Sequence, residues 1–271
     1  LNKIVAVWFR RFEAFGIHVT PIVYDSPIPL TRDLTQTVFK HQSECVGLDW
    51  NDSLQKYYLH EVFPAYATEI DFSETPNYSL VDSAILHSII RHHKPKKVVE
   101  IGSGETTLIS SRSGAQNTEE GAPYELLAID PYSKKHLRIN FPSNVTLIEK
   151  RIEDMAIPDV SDCDLLFIDS SHVIKTGGDV NYELLEIVPR LKPGTIIHWH
   201  DILLPGEYWE DWVKDKHYFW TEQYLLHAFL KFNNAFEIIW ASRYMHLKYP
   251  NEIKSVFPTF QPDQHRITSF W

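Results

Sequence analysis

The chain has 271 residues, of which 44% are hydrophobic and 13% aromatic, a composition typical of folded globular proteins and not of disordered ones. Its 26 basic and 36 acidic side chains give a net charge of −10, which argues against a nucleic-acid-binding protein because such proteins present a basic face. Two cysteines, Cys45 and Cys163, exclude a disulfide framework and indicate a reducing, cytoplasmic location.

Residues 1–78 carry few strand signals and are predicted to form a helical and loop-rich extension, broken by four prolines from Pro21 to Pro64. The apolar run from Ile4 to Phe12 is far shorter than the roughly 20 residues of a membrane span, and we expect no span elsewhere in the chain. This run predicts either a docked helix or the end of an amphipathic helix that continues upstream. The extension is expected to contact the substrate, as a lid, or a second copy of the chain in a homo-oligomer.

Residues 79–271 alternate between apolar runs and helical patterns, the order typical of a doubly wound α/β domain with a mostly parallel, seven-stranded sheet. A helical pattern begins at Ser79 and ends at Lys94, because Pro95 stops the helix. Strands that are buried on both faces read as continuous apolar segments, and seven such segments are predicted as strands. They are residues 97–101, 125–130, 145–149, 164–169, 195–200, 236–240 and 269–271.

The residues that follow the first two predicted strands indicate a nucleoside site. The turn Gly102-Ser103-Gly104 allows a ligand to approach the backbone closely. A dinucleotide-binding turn would read G-x-G-x-x-G, but Thr107 replaces the third glycine and Glu105 adds an acid, which weakens a pyrophosphate interpretation. Asp130 ends the second strand, where a carboxylate is placed to accept hydrogen bonds from two ribose hydroxyls.

Three segments together resemble class I S-adenosylmethionine-dependent methyltransferases, with the greatest likeness to small-molecule and sugar O-methyltransferases: Val98 to Gly104, Ala128 to Pro131 and Leu166 to Asp169. The run from Ile168 to His172, and the turn Lys192-Pro193-Gly194 that leads to His200-Asp201, fit the same family pattern. The resemblance spans about residues 80–240. It implies a Rossmann-like fold with S-adenosyl-L-methionine as cofactor.

The resemblance also implies a role for each matching residue. Glu100 and the Gly102 to Gly104 loop would cradle the methionine part of the cofactor. Asp130 would hold the ribose hydroxyls, and Asp154 would lie by the adenine amino group. The predicted cofactor-binding residues are Glu100, Gly102, Ser103, Gly104, Thr106, Asp130, Asp154 and Asp169.

Asp169, His200 and Asp201 stand at neighbouring strand ends and leave two interpretations open. In metal-dependent relatives of the catechol O-methyltransferase type, carboxylates at these positions hold Mg²⁺, and a histidine also suits a softer ion such as Mn²⁺. Without a metal, His200 or His172 would act as the general base, oriented by Asp201 or Asp169. The predicted catalytic residues are therefore His200, His172 and Asp169. His198 is predicted to point to the other face of its strand and to have a structural role.

The favoured function is methyl transfer to a hydroxyl of a small-molecule or carbohydrate-like acceptor. A nicotinamide-dependent reductase is an alternative that the missing third glycine and Glu105 disfavour. A metal-dependent oxygenase built on His198, His200 and Asp201 is a second alternative, and a non-catalytic nucleoside-binding module is a third. The aromatic connection from Tyr208 to Trp220 is either the rim of a substrate pocket or the core packing of a long insertion.

Overall fold

The computed structural model describes residues 2–69, 78–133 and 142–271. The chain divides into two compact units: a smaller one of Leu1–Lys40 with Trp209–Phe219, and a larger one of His41–Tyr208 with Trp220–Trp271. The domain boundary between residues 78 and 79 stays a prediction. In the described residues we find no helix with the length and apolar character that crossing a membrane requires.

The helices and strands are labelled in chain order. They are α1 Asn2–Glu13, α2 Gln36–Lys40, α3 Asp52–Tyr57, α4 Phe63–Tyr66, α5 Leu80–His93, β1 Lys97–Ile101, α6 Glu105–Glu119, β2 Glu125–Ile129, β3 Val145–Ile148, α7 Ile157–Ser161, β4 Leu165–Ile168, α8 Asp179–Tyr182, β5 Ile196–Trp199, α9 Glu210–Lys214, α10 Glu222–Leu230, α11 Ser242–Lys248 and α12 Pro250–Val256. Short 3-10 turns lie at Thr31–Asp33, Ile152–Asp154 and Val188–Arg190, and π-helical turns at Tyr58–Val62 and Glu183–Ile187.

The five strands form one parallel sheet in the order β3-β2-β1-β4-β5. Strand β1 is central and pairs with β2 on one side and with β4 on the other, so the strand order reverses beside it. Val98, Val99, Leu165 and Leu166 are fully buried, as expected for strands covered on both faces. The predicted α/β class and parallel sheet are confirmed.

The prediction of seven strands is not confirmed, because the described residues form a ladder of five. The segment 269–271 nevertheless runs beside the edge strand β5, and the segment 236–240 pairs in turn with it, since the backbone N–H of Ile239 donates to the Trp271 carbonyl at 3.0 Å. Phe270 makes single antiparallel bridges to Trp199 and to Ala241. Each bridge joins only one residue pair, so the apolar character of these segments reflects their burial at the sheet edge and not a continuous ladder.

Helix α5 brings the chain to the central strand and confirms the helix predicted from Ser79 to Lys94. The Ser79 side chain caps it by accepting a hydrogen bond from the backbone N–H of Asp82 at 3.4 Å. Lys94 ends it in the left-handed conformation, with φ of 46°, directly before Pro95. The helix is buried along most of its length and packs against α6, so it belongs to the core of the larger unit.

Asp82 joins α5 to the C-terminal segment of the chain. Its buried carboxylate accepts hydrogen bonds from the hydroxyls of Ser242 at 2.9 Å and Ser269 at 2.7 Å, and from the backbone N–H of Thr268 at 2.9 Å. Burial raises the pKa of Asp82, although the electrostatic effect of His200 and these hydrogen bonds oppose the shift.

Asp82→Ala should lower the free energy of unfolding by about 3 kcal/mol, because it leaves several buried donors without an acceptor. Urea denaturation followed by circular dichroism measures the change. Asp159→Ala, which removes an exposed carboxylate, serves as the control and should change stability by no more than about 0.5 kcal/mol. An equally small effect for Asp82→Ala would contradict the anchoring role.

Candidate functional site

A cavity of about 540 Å³ opens beyond the carboxyl ends of β1, β2 and β4. It lies where the strand order reverses, the position at which open parallel sheets bind their ligands. Its volume falls within the range of small-molecule sites. The residues that line it are Ile101, Gly102, Ser103, Ile129, Asp130, Pro131, Tyr132, Arg151, Ile152, Glu153, Asp169, Ser170, Ser171, Lys175, Gly177 and Asp179.

The glycine turn between β1 and α6 forms one wall of this cavity. Gly102 has a φ of 93°, and a Cβ at this position would lie 2.3 Å from the carbonyl oxygen of Asp169, so only glycine fits. Gly104 precedes α6, and its N–H donates to the hydroxyl of Thr107 at 3.0 Å. The turn therefore holds backbone close to β4 and leaves Gly102 and Ser103 facing the cavity.

Asp130 follows β2 and lines the cavity beside this turn. One carboxylate oxygen, Oδ2, accepts a hydrogen bond from the Ser103 hydroxyl at 2.6 Å, and the other, Oδ1, accepts one from the backbone N–H of Tyr132 at 2.7 Å. These two bonds fix the orientation of the carboxylate. Each oxygen still has acceptor capacity for a further donor, because an ionised carboxylate offers about four acceptor sites.

Glu100 and Thr106 lie behind the glycine turn and do not line the cavity. Glu100 is buried on β1, where its Oε1 accepts a hydrogen bond from the Thr106 hydroxyl and its Oε2 makes no hydrogen bond. Burial raises the pKa of Glu100 to about 8, against the opposing hydrogen bonds from Thr106 and Thr107. Glu100 and Thr106 therefore contact each other beneath the turn. The predicted contact of these two residues with the cofactor stays a prediction.

Asp154, which the resemblance assigns to the adenine amino group, lies outside the cavity. It is exposed at the end of a 3-10 turn, whereas the preceding residue, Glu153, lines the cavity. Glu153 accepts a hydrogen bond from Arg151 at 2.7 Å, and Arg151 lines the same wall. The acidic side chain at this end of the cavity is therefore Glu153.

His172 stands at the centre of a second cluster, next to the cavity. Its Nδ1 lies 2.8 Å from Oε2 of Glu222, and its Nε2 lies 3.2 Å from Oδ1 of Asp169 and 3.8 Å from Oδ2 of Asp201. Ionised carboxylates only accept hydrogen bonds, so an imidazole between them donates from both nitrogens and is positively charged. Burial alone would lower the pKa of His172, but Asp169 and Glu222 outweigh it and hold that pKa well above its usual value. Its ring also packs against Trp220, with 4.4 Å between the ring centroids.

His200 lies on the other side of Asp201 in the same cluster. Its Nε2 is 3.4 Å from Oδ1 of Asp201, while its Nδ1 is buried and makes no hydrogen bond. The ring of Tyr78 packs against it at 5.1 Å between centroids, and the Tyr78 hydroxyl is also buried without a hydrogen bond. Burial and the nearby carboxylates hold the pKa of Tyr78 well above its usual value.

The backbone of the cluster is strained at two residues. Asp201 and His172 have positive φ values of 55° and 58°, and such strain often marks functional sites.

The predicted direction of His198 is wrong. Residues two apart along a strand point to the same face, and the rings of His198 and His200 lie 5.7 Å apart. His198 is fully buried between the rings of Phe167, at 4.1 Å, and Trp271, at 4.3 Å. Its packing between two aromatic rings agrees with a structural role.

The residues predicted to hold a divalent metal ion are Asp169, His200 and Asp201. Among the side chains that the structure describes, no group of three or more His, Cys, Asp or Glu is arranged to hold a metal ion. The Asp169 and Asp201 carboxylates both face Nε2 of His172, at 3.2 and 3.8 Å. As described, these residues do not fit a divalent cation, because the imidazole stands between the two carboxylates.

A match to a protein family includes all the residues that line the cavity. Residues 99–202 match the model of a family described as a methyltransferase domain. The predicted resemblance to methyltransferases is confirmed for this segment, the methyltransferase domain of the chain. An uncharacterized protein of Archaeoglobus fulgidus is 28% identical over 179 residues, which cover 57% of this chain and 80% of that protein.

Solved methyltransferase structures are also similar to the chain. The methyltransferase PaMTH1 of Podospora anserina, bound to S-adenosylhomocysteine, aligns with a TM-score of 0.45 and 16% identity, over 81% of this chain and 93% of that one. The O-methyltransferase TomG of Streptomyces achromogenes, in complex with S-adenosylmethionine, aligns with a TM-score of 0.37 and 15% identity, over 57% of this chain and 73% of that one.

Two residues of the second cluster lie outside the methyltransferase domain and were not singled out from the sequence. Glu222 begins α10, 50 positions after its partner His172, and no spacing pattern connects the two. Tyr78 directly precedes the cap of α5, where its backbone N–H donates to Glu105 at 3.1 Å. Both join the site only through the tertiary fold, so the segments that flank the methyltransferase domain complete its cluster.

Proposed function

We propose that the chain transfers the methyl group of S-adenosylmethionine to a hydroxyl of a small-molecule or carbohydrate-like acceptor. One arrangement supports this proposal above all: Asp130, the Gly102 turn and Asp169 line a single cavity at the reversal point of the sheet. An acid beyond β2, beside a glycine turn beyond β1, suits a nucleoside whose ribose hydroxyls donate to the carboxylate.

The residues of the cavity fit the parts of this cofactor. In the proposal Asp130 accepts hydrogen bonds from the two ribose hydroxyls, and the Gly102-Ser103 backbone faces the methionine part. Glu153 takes the position by the adenine amino group that was expected for Asp154, because it lines the cavity. When bound, S-adenosylmethionine supplies an electrophilic methyl group. The protein then has to align the acceptor hydroxyl and remove its proton.

The two histidines of the second cluster suit different parts of this task. His172 is held between Glu222 and Asp169 as a cation, so it is poorly suited to accept a proton. His200 has an Nδ1 without a hydrogen bond and a carboxylate, Asp201, beside its Nε2. We assign the general base to His200, with Asp201 orienting the ring, and give His172 the role of neutralising Asp169 and Asp201.

Isothermal titration calorimetry of the purified chain with S-adenosylmethionine, S-adenosylhomocysteine and NADPH tests the cofactor. We expect binding of the first two and none of NADPH. Asp130→Ala should weaken binding of S-adenosylmethionine about tenfold to a hundredfold, because it removes charge-assisted hydrogen bonds to the ribose worth roughly 1.5 to 3 kcal/mol.

Asp263→Ala, which removes an exposed carboxylate far along the chain, is the matched control and should bind like the parent. Thermal melting checks that both variants are folded. Unchanged affinity in a folded Asp130→Ala variant would refute the ribose assignment. Binding of NADPH in place of S-adenosylmethionine would favour the reductase, and cofactor binding without methyl transfer to any of a panel of sugars and phenols would favour the binding module.

A further inference from the structure

Exposed apolar side chains are concentrated near the start of the chain. Of the twenty large apolar side chains that are exposed in the described residues, ten lie between Val7 and Ile28. Phe15 is 81% exposed and Ile22 is 78% exposed. None of the described side chains of the smaller unit is buried, so this unit has no core of its own that would account for them. Apolar surface at this density in one segment is typical of a binding surface.

Helix α1 presents this apolar surface on one side. Trp8 and Phe12 lie four positions apart, hence one above the other on the helix, and both are exposed. Val5 and Phe9, on the adjoining side, are half-buried, and Phe9 stacks on His18 with 5.3 Å between ring centroids. The side of the helix with Val5 and Phe9 is therefore partly covered. The side with Trp8 and Phe12 remains exposed in the described chain.

The charges next to this surface are basic although the protein is acidic. Arg10 and Arg11 are exposed in the last turn of α1, and the guanidinium of Arg11 lies 4.5 Å from the centroid of the Trp8 ring. Residues 1–28 contain three basic and two acidic residues, a net charge of +1, in a chain whose net charge is −10. The surface therefore combines apolar and aromatic groups with positive charge, and it suits a partner that is both apolar and anionic.

We propose that α1 and the apolar segment that follows it bind the surface of a lipid bilayer that contains anionic lipids. Trp8, Phe12 and Phe15 would enter the interface between headgroups and acyl chains, and Arg10 and Arg11 would contact the phosphates. In the proposal the 12 described residues of the helix lie along the bilayer surface. A symmetric contact between two copies suits the surface less well, because it would bring the arginines of both copies together.

Co-sedimentation of the full chain with lipid vesicles tests the proposal. We expect binding to vesicles of phosphatidylcholine mixed with phosphatidylglycerol, and much weaker binding to phosphatidylcholine alone. The double variant Trp8→Ser/Phe12→Ser should bind the mixed vesicles at least about tenfold more weakly. Arg10→Glu/Arg11→Glu should lose about 25-fold or more, since each basic residue near an anionic surface contributes roughly fivefold in affinity.

Two control variants make the same chemical changes on the larger unit. Val46→Ser/Leu185→Ser removes two apolar side chains that are more than half exposed, and Lys231→Glu/Lys254→Glu reverses two exposed charges. Both should bind vesicles within about twofold of the parent. Circular dichroism and thermal melting verify that all four variants are folded.

Two results would overturn the proposal. The first is absence of binding to the mixed vesicles by the folded parent, or binding that the α1 variants and the controls weaken equally. The second is a concentration-dependent dimer, detected by light scattering without lipid, that the α1 variants dissociate, because it would assign the surface to a second copy of the chain. None of these measurements depends on methyl transfer, so failure of the proposed enzymatic function leaves them interpretable.

Discussion

Replacement of His172 by alanine should lower the free energy of unfolding by about 3 to 5 kcal/mol, which makes it the most destabilising substitution expected at the site. The imidazole lies within 3.8 Å of three carboxylates, those of Asp169, Asp201 and Glu222, and Glu222 is buried. Without the imidazolium these carboxylates repel one another in a region that water screens poorly. Guanidinium denaturation of the variant and the parent at neutral pH measures the loss.

The same contacts predict how the loss depends on pH. Burial would lower the pKa of His172, but hydrogen bonds to Asp169 and Glu222 raise it well above the ordinary value. A group whose pKa is higher in the folded state contributes its full stability below the unfolded pKa, near 6.5 for histidine, and loses that contribution as the pH rises through the folded pKa. The difference in stability between parent and His172→Ala should therefore narrow as the pH is raised from about 7 toward about 10.

His41→Ala removes an exposed histidine of the larger unit and provides the control, with an expected change within about 0.5 kcal/mol at every pH. Glu222→Gln keeps an oxygen acceptor for Nδ1 but removes one negative charge, so it should cost less than His172→Ala. A loss below about 1 kcal/mol for His172→Ala, or a difference that widens with rising pH, would show that His172 is not held as a cation.

The central strands and the residues at their carboxyl ends could be predicted from the sequence. Strands β1 and β4 are buried on both faces, so they appear as mainly apolar runs whose ends are marked by Gly102 and Asp169, and Glu100 is the one acid within them. Because parallel strands present their carboxyl ends at one edge of the sheet, this reading also brings Asp130 and Gly102 to the same cavity. Local sequence therefore predicts the place of a residue in the fold where burial of the strand and its direction in the sheet alone determine that place.

Strand number and side-chain partners depend on contacts that local sequence does not encode. The segment 236–240 is as apolar as a strand, yet its backbone hydrogen bonds to the edge of the sheet go to Trp271, far along the chain. Glu222 and Tyr78 reach the site from outside the methyltransferase domain, so their meeting with His172 and His200 follows from the packing of α10 and α5. The prediction of a metal site at Asp169, His200 and Asp201 could not include the imidazole of His172, which the fold places 3.2 and 3.8 Å from the two carboxylates.

His200→Ala should reduce kcat about 10²- to 10⁴-fold while the affinity for S-adenosylmethionine stays within a few fold of the parent. His200 follows β5 beside Asp201, and it does not line the cavity that contains Asp130. In the proposed reaction its imidazole removes the proton of the acceptor hydroxyl, so its contribution arises only with the acceptor. Transfer of radiolabelled methyl from S-adenosylmethionine to the best acceptor of a sugar and phenol panel measures kcat, and calorimetry measures cofactor affinity.

A comparison with Asp130→Ala separates the two parts of the site. Asp130→Ala should weaken cofactor binding and retain much of its kcat at saturating cofactor, whereas His200→Ala should show the opposite pattern. Adding imidazole to the His200→Ala reaction should restore part of the lost rate, because free imidazole can replace a missing base but not a missing packing contact. If kcat instead stays near the parental value from about pH 6 to 9, His200 has a structural role against Tyr78, and Asp169, which lines the cavity, becomes the candidate base.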